Sequence, residues 1–363
     1  MSIFKQFIAK LADLKTITLC LVILNILSVM AIYSSLHQNG EFTDKEILVK
    51  QIIWIGIGWL SLIVFSRINY RLYFGIGYFL YILSIILLII VDIFGKSAMG
   101  AQRWISIFGI TFQPSELSKI AIIILLARFF QRTGERQFIR NFLIPLILVV
   151  INALVIFLQP DLGTALFIMA IFILMGFFSN IKKRYFISLL IIILIASPFA
   201  INSLKDYQKK RLLVFLNPNI DPLGSGYTII QSKIAIGSGR LLGKGFLAGT
   251  QNQFNFLPER HTDFIFTVIA EEWGLLGSLF LIFIYWLIIM KVLQRARTLR
   301  DPFAYFLCLG ASIFLFLHVC INIGMAMGIL PIVGLPLILL SYGGTNLLAT
   351  FMLMGIFFNI CKQ

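Results

Sequence analysis

Residues 73–94 read YFGIGYFLYILSIILLIIVDIF, and this stretch decides the architecture. A helix needs about 20 predominantly apolar residues to cross a hydrocarbon core about 30 Å thick. The stretch is solidly apolar rather than alternating, which excludes a transmembrane β-barrel, whose strands place apolar and polar residues in turn. Nine more apolar segments accompany it, at 16–36, 50–66, 115–131, 142–159, 163–179, 185–202, 263–290, 303–328 and 336–360. Of 363 residues, 60% are hydrophobic and 12% charged, with a mean hydropathy of +0.97. Soluble domains carry about a quarter charged residues, so a soluble globular enzyme, a disordered chain and a fibrous repeat are excluded. The expectation is an all-α polytopic membrane protein with ten transmembrane helices, forming one domain over residues 1–363.

Thirty Lys and Arg stand against 15 Asp and Glu, a net charge of +15. In a soluble protein such an excess suggests nucleic acid; in a membrane protein the place of the charges decides orientation. With the N-terminus cytoplasmic, 17 basic residues fall in inner segments and five, Lys45, Lys50, Lys96, Arg103 and Lys119, in short outer ones. The other eight lie in one long outer loop, 203–262, where the rule loses force. An even number of spans puts both termini inside, and no nucleic-acid partner is implied. The N-terminal apolar run is too long for a signal-peptide core and reads as a retained first span. Before it, Ile3, Phe4, Phe7, Ile8 and Leu11 share one helical face, as in an interfacial helix on anionic lipid. Cys20, Cys308, Cys320 and Cys361 have neither zinc nor redox spacing. No internal repeat supports an inverted-repeat transporter.

The outer connections 95–114 and 203–262 hold most of the polar and glycine content outside the membrane. A connection of about 60 residues is far beyond the ordinary length and reads as functional or self-packed. Within it, Lys209, Lys210 and Arg211 lead into an interfacial helix at 212–216, and 227–236 forms another short helix. Gly237, Gly239, Gly243, Gly245 and Gly249 then demand turns. Their spacing fits neither a Walker loop nor a dinucleotide fingerprint. With Arg240 and Lys244 they form either a phosphate cradle of exposed amides or plain turns.

Asp263 opens the eighth segment within Pro258-Glu259-Arg260-His261-Thr262-Asp263-Phe264. It is either a general base facing outer solvent or, with Thr262, a helix cap. Burial would raise its pKa, while the helix N-terminus and Arg260 would lower it. Glu271 and Glu272 sit about 12 Å deeper along a helix and on other faces, so neither forms a dyad with Asp263. They are functional intramembrane acids or protonated structural ones. Glu116 and Lys119, three apart, pair on one helix face, and Asp161 caps the sixth span. His318 and Asn322, four apart, suggest helix packing with polar pairing. Ser341-Tyr342-Gly343-Gly344-Thr345 breaks the last span, and irregular backbone there must line a cavity or be covered by protein.

Five stretches together resemble the SEDS (shape, elongation, division, sporulation) family, with its spans in order over nearly the whole chain. They are Gly100-Ala101-Gln102-Arg103-Trp104-Ile105, Gln113 to Lys119 (QPSELSK), Gln159 to Thr164 (QPDLGT), Gly224 to Gly274 and Asn322 to Thr345. Gln231 to Gly239 (QSKIAIGSG) and Asn322-Ile323-Gly324-Met325 favour its rod-shape branch over its division branch. The resemblance implies a peptidoglycan glycosyltransferase that polymerises lipid II on the outer face of the bacterial cytoplasmic (inner) membrane. It implies that Asp263 is catalytic, that Trp104 is essential, and that Glu116 and Lys119 form a structural ion pair near the cavity. It also implies a divalent cation, magnesium or manganese, although no metal-ligand cluster is evident. The implied partners are undecaprenyl-diphosphate-linked glycan, membrane lipid, a class B penicillin-binding protein that crosslinks, and other elongation proteins. Two departures stand out: Asn346 where the family usually has Ser, and Arg240 where Gly is common.

On that resemblance an α-diphosphate becomes a β-1,4 link by one inverting displacement, with Asp263 as general base. Arg103, Arg240, Lys244 or Arg260 would offset charge on the leaving diphosphate, with His261 and Trp104 also in the substrate site. A lipid II flippase would instead use polar groups along the membrane depth, namely His318, Glu271 and Glu272. A noncatalytic scaffold would leave Asp263 dispensable.

Overall fold

A computed structural model describes the chain except residues 1, 39–40, 43, 99–100, 108–109, 132–136, 203–205 and 223. Side chains of 2–12, 38, 41–42, 96–98, 101–102, 106–107, 110, 137, 196–202, 206–208 and 225 are likewise outside the description. The lipid-binding face expected of Ile3, Phe4, Phe7, Ile8 and Leu11 therefore lies outside the described residues.

Each of the ten apolar segments is answered by a helix: α1 (Ser2–Leu36), α2 (Lys45–Arg67), α3 (Arg71–Phe94), α4 (Pro114–Phe130), α5 (Ile144–Leu158), α6 (Leu162–Phe177), α7 (Lys183–Asn202), then α11 (Ile265–Arg297), α12 (Pro302–Ala326) and α13 (Gly344–Lys362). Between α7 and α11 lie α8 (Asp206–Leu216), α9 (Ser225–Ser238) and α10 (Thr250–Gln253). The first two are the short helices expected in the long loop. Among the described residues, seven helices are long and apolar enough to cross a membrane, whereas α6 has only 16 residues. The chain is a multi-pass helical membrane protein.

Local chemistry explains the boundaries. Proline opens α4 at Pro114 and α12 at Pro302, where its missing N–H costs nothing. Asp301 caps α12 by accepting from the Phe303 amide at 2.9 Å, and Asp161 caps α6, as expected, by accepting from the Thr164 amide at 3.0 Å. Buried positions make up 83% of the apolar window in α13 and 72% in α12, but 22% in α2 and 28% in α3. Helices α12 and α13, with the almost wholly buried α4, therefore form the centre, and α2 and α3 turn apolar faces outward to lipid. Gly58 lies against Phe351, and Gly355 lies against Leu62 and Phe65, so small residues let α2 and α13 approach closely.

Two expectations need correction. The connections between helices carry short antiparallel strands as well as helices. β1 (His37–Gln38) pairs with β2 (Glu41–Phe42), and β3 (Lys96–Ala98), β4 (Ala101–Ile107) and β5 (Ile110–Phe112) form a second sheet. Their few residues made too short an alternating pattern to read. The last helix begins at Gly344 rather than near 336. Residues 327–343 are irregular because Pro331 and Pro336 interrupt helical bonding and Gly328 and Gly334 take positive φ. Leu335 and Leu337–Leu340 are nevertheless buried, so this segment is covered by protein, as backbone at membrane depth requires.

Candidate functional site

The turn ahead of α11 is closed by Glu259. Its carbonyl accepts from the amides of Thr262 at 3.2 Å and Phe264 at 3.3 Å, and its carboxylate accepts from the Thr262 hydroxyl at 3.0 Å. The cap of α11 is Phe264, with no side-chain hydrogen bond. Neither Thr262 nor Asp263 is therefore used as the cap that the sequence left open. Among the described residues no group donates a hydrogen bond to the Asp263 carboxylate. Desolvation pushes its pKa up from 3.8 to about 6, helped by Glu259 and opposed by Arg211 and Arg103. A carboxylate that is partly buried, unbonded and still ionised at neutral pH suits a general base.

Beside it lies a cavity lined by Arg103, Pro160, Gly163, Arg211, Ile332 and Val333, among others. Arg103 is held in place: it donates to the carbonyls of Gln159, at 3.3 Å, and Pro160, and it sits 3.6 Å from Asp161. Arg211, on α8, donates to the Ile332 carbonyl at 3.4 Å. Sequence reasoning missed Arg211 as a site residue; its only signal was a basic run, read as an interfacial helix. Trp104 follows Arg103 on β4, so it projects from the opposite face of that strand.

The wall opposite is the irregular segment between α12 and α13. Asn322 donates to the carbonyls of Asp263, at 2.9 Å, and Leu335, at 2.8 Å. Gly334 has φ of +72°, a conformation that favours glycine, and a Cβ added there would lie 3.6 Å from the Asp263 carboxylate. The Ser341 hydroxyl donates to the Thr262 carbonyl at 2.5 Å, and the Tyr342 amide donates to that of His261 at 2.9 Å. The break at 341–345 thus fixes the turn that carries Asp263.

Glu116 and Lys119 form the expected pair at 2.7 Å, and both are buried. Asn346 donates to the other Glu116 oxygen at 3.1 Å, which gives that departure from the family pattern a structural use. Lys119 also meets His318 at 3.2 Å and stacks on Phe167. Removing one partner of such a pair costs about 3–5 kcal/mol.

The other cations named from the sequence go elsewhere. At Gly274, inside α11, φ is +66° and the helix kinks. The glycine turn fills the break: Lys244 and Gly245 amides donate to the carbonyls of Glu271 and Glu272 at 3.0 and 2.9 Å, and the Leu275 amide returns a bond to Arg240 at 2.9 Å. The amides proposed as a phosphate cradle are thereby engaged with α11, which favours the plain-turn reading. Lys244 pairs with Glu271 at 2.7 Å, about 12 Å along the helix from Asp263, and Arg240 is exposed. Glu271 further accepts from Thr250 and the Gln251 amide, so it fastens the loop, while Glu272 accepts from Ser34 and ties α11 to α1. Arg260 is buried and donates to the Ser35 carbonyl at 2.6 Å and to Asn255. His261 has its pKa lowered by burial; it is neutral at physiological pH and offers a hydrogen bond rather than a charge.

The chain is a multi-pass helical bundle with a cavity beside the entrance of α11, where a carboxylate receives no hydrogen bond from the described residues. Residues 14–363 match the family of cell cycle proteins that takes in FtsW, RodA and SpoVE, and the chain belongs to that family. It is 42% identical to the peptidoglycan glycosyltransferase MrdB of Escherichia coli K12, over 95% of this chain and 92% of that one. It is 35% identical to the probable peptidoglycan glycosyltransferase FtsW of Geobacter metallireducens, covering 96% and 94%. The fold matches a solved structure describing coordination of polymerization and crosslinking by a peptidoglycan synthase complex, with TM-score 0.81, 28% identity and coverage of 95% and 96%. It also matches the Thermus thermophilus rod shape determining protein RodA, with TM-score 0.72, 24% identity and 95% of each chain.

Proposed function

We propose that this chain is a peptidoglycan glycosyltransferase that joins lipid II units into β-1,4 glycan during cell elongation. The observation that carries the catalytic reading is the unbonded Asp263 carboxylate, with raised pKa, beside a cavity holding two arginines. The QSKIAIGSG run at 231–239 and Asn322-Ile323-Gly324-Met325, together with 42% identity to MrdB, support the rod-shape role over the division role.

The chemistry is a single inverting displacement. Asp263 takes the proton of the acceptor sugar's 4-hydroxyl as that oxygen attacks the anomeric carbon. The bond to the lipid diphosphate breaks, and Arg103 and Arg211 offset the charge of the leaving group. His261 supplies a neutral hydrogen-bonding group for the sugar, whereas Trp104, on the face of β4 opposite Arg103, supports the strand that carries Arg103. Among the described residues no three of His, Cys, Asp and Glu converge on a point. Magnesium or manganese, which takes one or two carboxylates with substrate phosphates and water, would come with the diphosphate of the incoming lipid and offset its charge.

The reading further places ten spans in the bacterial inner membrane, both termini inside and the cavity on the outer face. A class B penicillin-binding protein supplies crosslinking. A flippase loses its supports, since His318, Glu271 and Glu272 are each bound to neighbouring segments. The test is polymerisation of fluorescent lipid II by the purified chain with its transpeptidase. Asp263→Asn is expected to lower the rate by at least about 10²-fold while still co-purifying with the partner. Near wild-type polymerisation by that variant would remove Asp263 as base.

A further inference from the structure

We infer that Asn322, with His318 one turn earlier on α12, is a positioning residue that sets the Asp263 carboxylate against the cavity wall. The inference rests on the reading of Asp263 as the base. Both N–H groups of the Asn322 amide are committed, one to the backbone carbonyl of Asp263 at 2.9 Å and one to that of Leu335 at 2.8 Å. A single side chain thus clasps the backbone of the base to the segment that carries Gly334, where an added Cβ would lie 3.6 Å from the carboxylate. The Asn322 Oδ1 is buried without a partner. Reversing the amide would aim that oxygen at two carbonyls, so the orientation is fixed by repulsion. An asparagine serving helix packing alone would not leave its acceptor unpaired to complete two donations.

His318 holds the next residue. The Lys119 ammonium has only donors, so His318 Nε2, 3.2 Å away, must accept. Nδ1 then carries the proton and donates to the Pro336 carbonyl at 3.3 Å. The ring is held neutral and in one tautomer by the ion pair behind it. Residues four apart share one face of a helix, so His318 and Asn322 together grip the consecutive carbonyls 335 and 336. The buried Glu116–Lys119 pair and Asn346 of α13 extend this rail across the centre of the molecule. The charged groups whose fields reach Asp263 are Glu259 of its own turn, Arg211 of α8, Arg103 of β4 and Asp161 ahead of α6. From α12 the rail presents only neutral groups.

The experiment measures kcat, KM and the pH profile of lipid II polymerisation by the chain with its transpeptidase. Asn322→Ala is expected to lower kcat by at least about tenfold with KM within about twofold, because misplacing a base hurts the reaction more than binding. The acid limb of its profile moves to lower pH as the released carboxylate turns toward water. His318→Asn, which keeps a donor at the Nδ1 position, retains kcat within about threefold, whereas His318→Leu does not. Partner co-elution and unfolding temperature report folding. If Asn322→Ala does not fold, Asn322→Ser, able to make one of the two bonds, takes its place with a smaller loss of kcat. Wild-type kcat and pH profile in whichever variant folds, with Asp263→Asn inactive, overturns this inference alone. Activity in Asp263→Asn overturns the reading beneath it.

Discussion

At pH 7 Asp263 is charged in the folded and the unfolded chain alike, but the folded chain holds its proton up to about pH 6 against an ordinary 3.8. A raised value means that the folded state binds the proton more tightly. The stability this brings is fully present below pH about 4 and is lost as the pH rises through about 6. At pH 7.5 the ionised group therefore costs the fold about 1–2 kcal/mol, after allowing for its partial exposure. Polymerisation should accordingly fall as the pH drops through about 6 rather than near 4, since only the carboxylate accepts a proton. Asp263→Asn, expected to be inactive, should unfold at a higher temperature than wild type in detergent at pH 7.5, with the difference vanishing near pH 4. A variant less stable than wild type at pH 7.5 would mean that the carboxylate is structurally bonded. The sequence left base and cap open at this residue, because a carboxylate at a helix entrance serves either. Only the position of the cap, one residue later at Phe264, separates them. Asn322 was read as a packing residue because spacing shows which side chains share a face, not which distant backbone they meet.

At the scale of elements, the helices were legible because each is a long apolar run with proline or aspartate at its start. The kink in α11 was not, since it depends on two glycines 31 positions apart whose meeting no local pattern records. Gly274 takes φ of +66°, and a side chain there would run into the Gly243 amide. The turn at 239–245 replaces the helical bonds lost at the kink, and Glu271 locks it by gathering Lys244, Thr250 and the Gln251 amide. Glu271→Gln removes the charge that Lys244 answers. It should weaken the lock by about 1–3 kcal/mol, read as faster hydrogen exchange at the Lys244, Gly245 and Gln251 amides. Exchange in α12 should stay unchanged. Equal exchange in variant and wild type would show that the backbone bonds hold the turn without the ion pair. The irregular segment before α13 was misread for a related reason: leucines at 335, 337, 339 and 340 look like a span, and burial against protein satisfies them equally well.

At the scale of the whole molecule, hydropathy and charge answer different questions. Apolar content puts the chain in a membrane, but among the described residues seven helices are long and apolar enough to cross by composition, and α6, at 16 residues, is not. At about 1.5 Å per residue α6 is about 24 Å long, short of a full hydrocarbon core. Its inward face is buried throughout, at Phe167, Ile168, Ile171, Phe172 and Met175, so packing against neighbours rather than lipid thickness sets its length. The proposed orientation rests on the 17 basic residues on one side against five in the short segments of the other. Three helices, α11, α12 and α13, separate the long loop from the C-terminus, so an odd number of crossings must put these two on opposite faces. Leu242 is 77% exposed in that loop, and Gln363 ends the chain exposed. With Cys20, Cys308, Cys320 and Cys361 replaced, Leu242→Cys should react with a membrane-impermeant maleimide on intact cells from which any outer membrane has been removed. Gln363→Cys should react only after permeabilisation. Labelling of both from outside would require an even number of crossings between them and remove one of the three helices from the membrane. Labelling of Gln363→Cys alone would invert the chain and turn the Asp263 cavity toward the cytoplasm, where a polymer built outside the cell cannot be made.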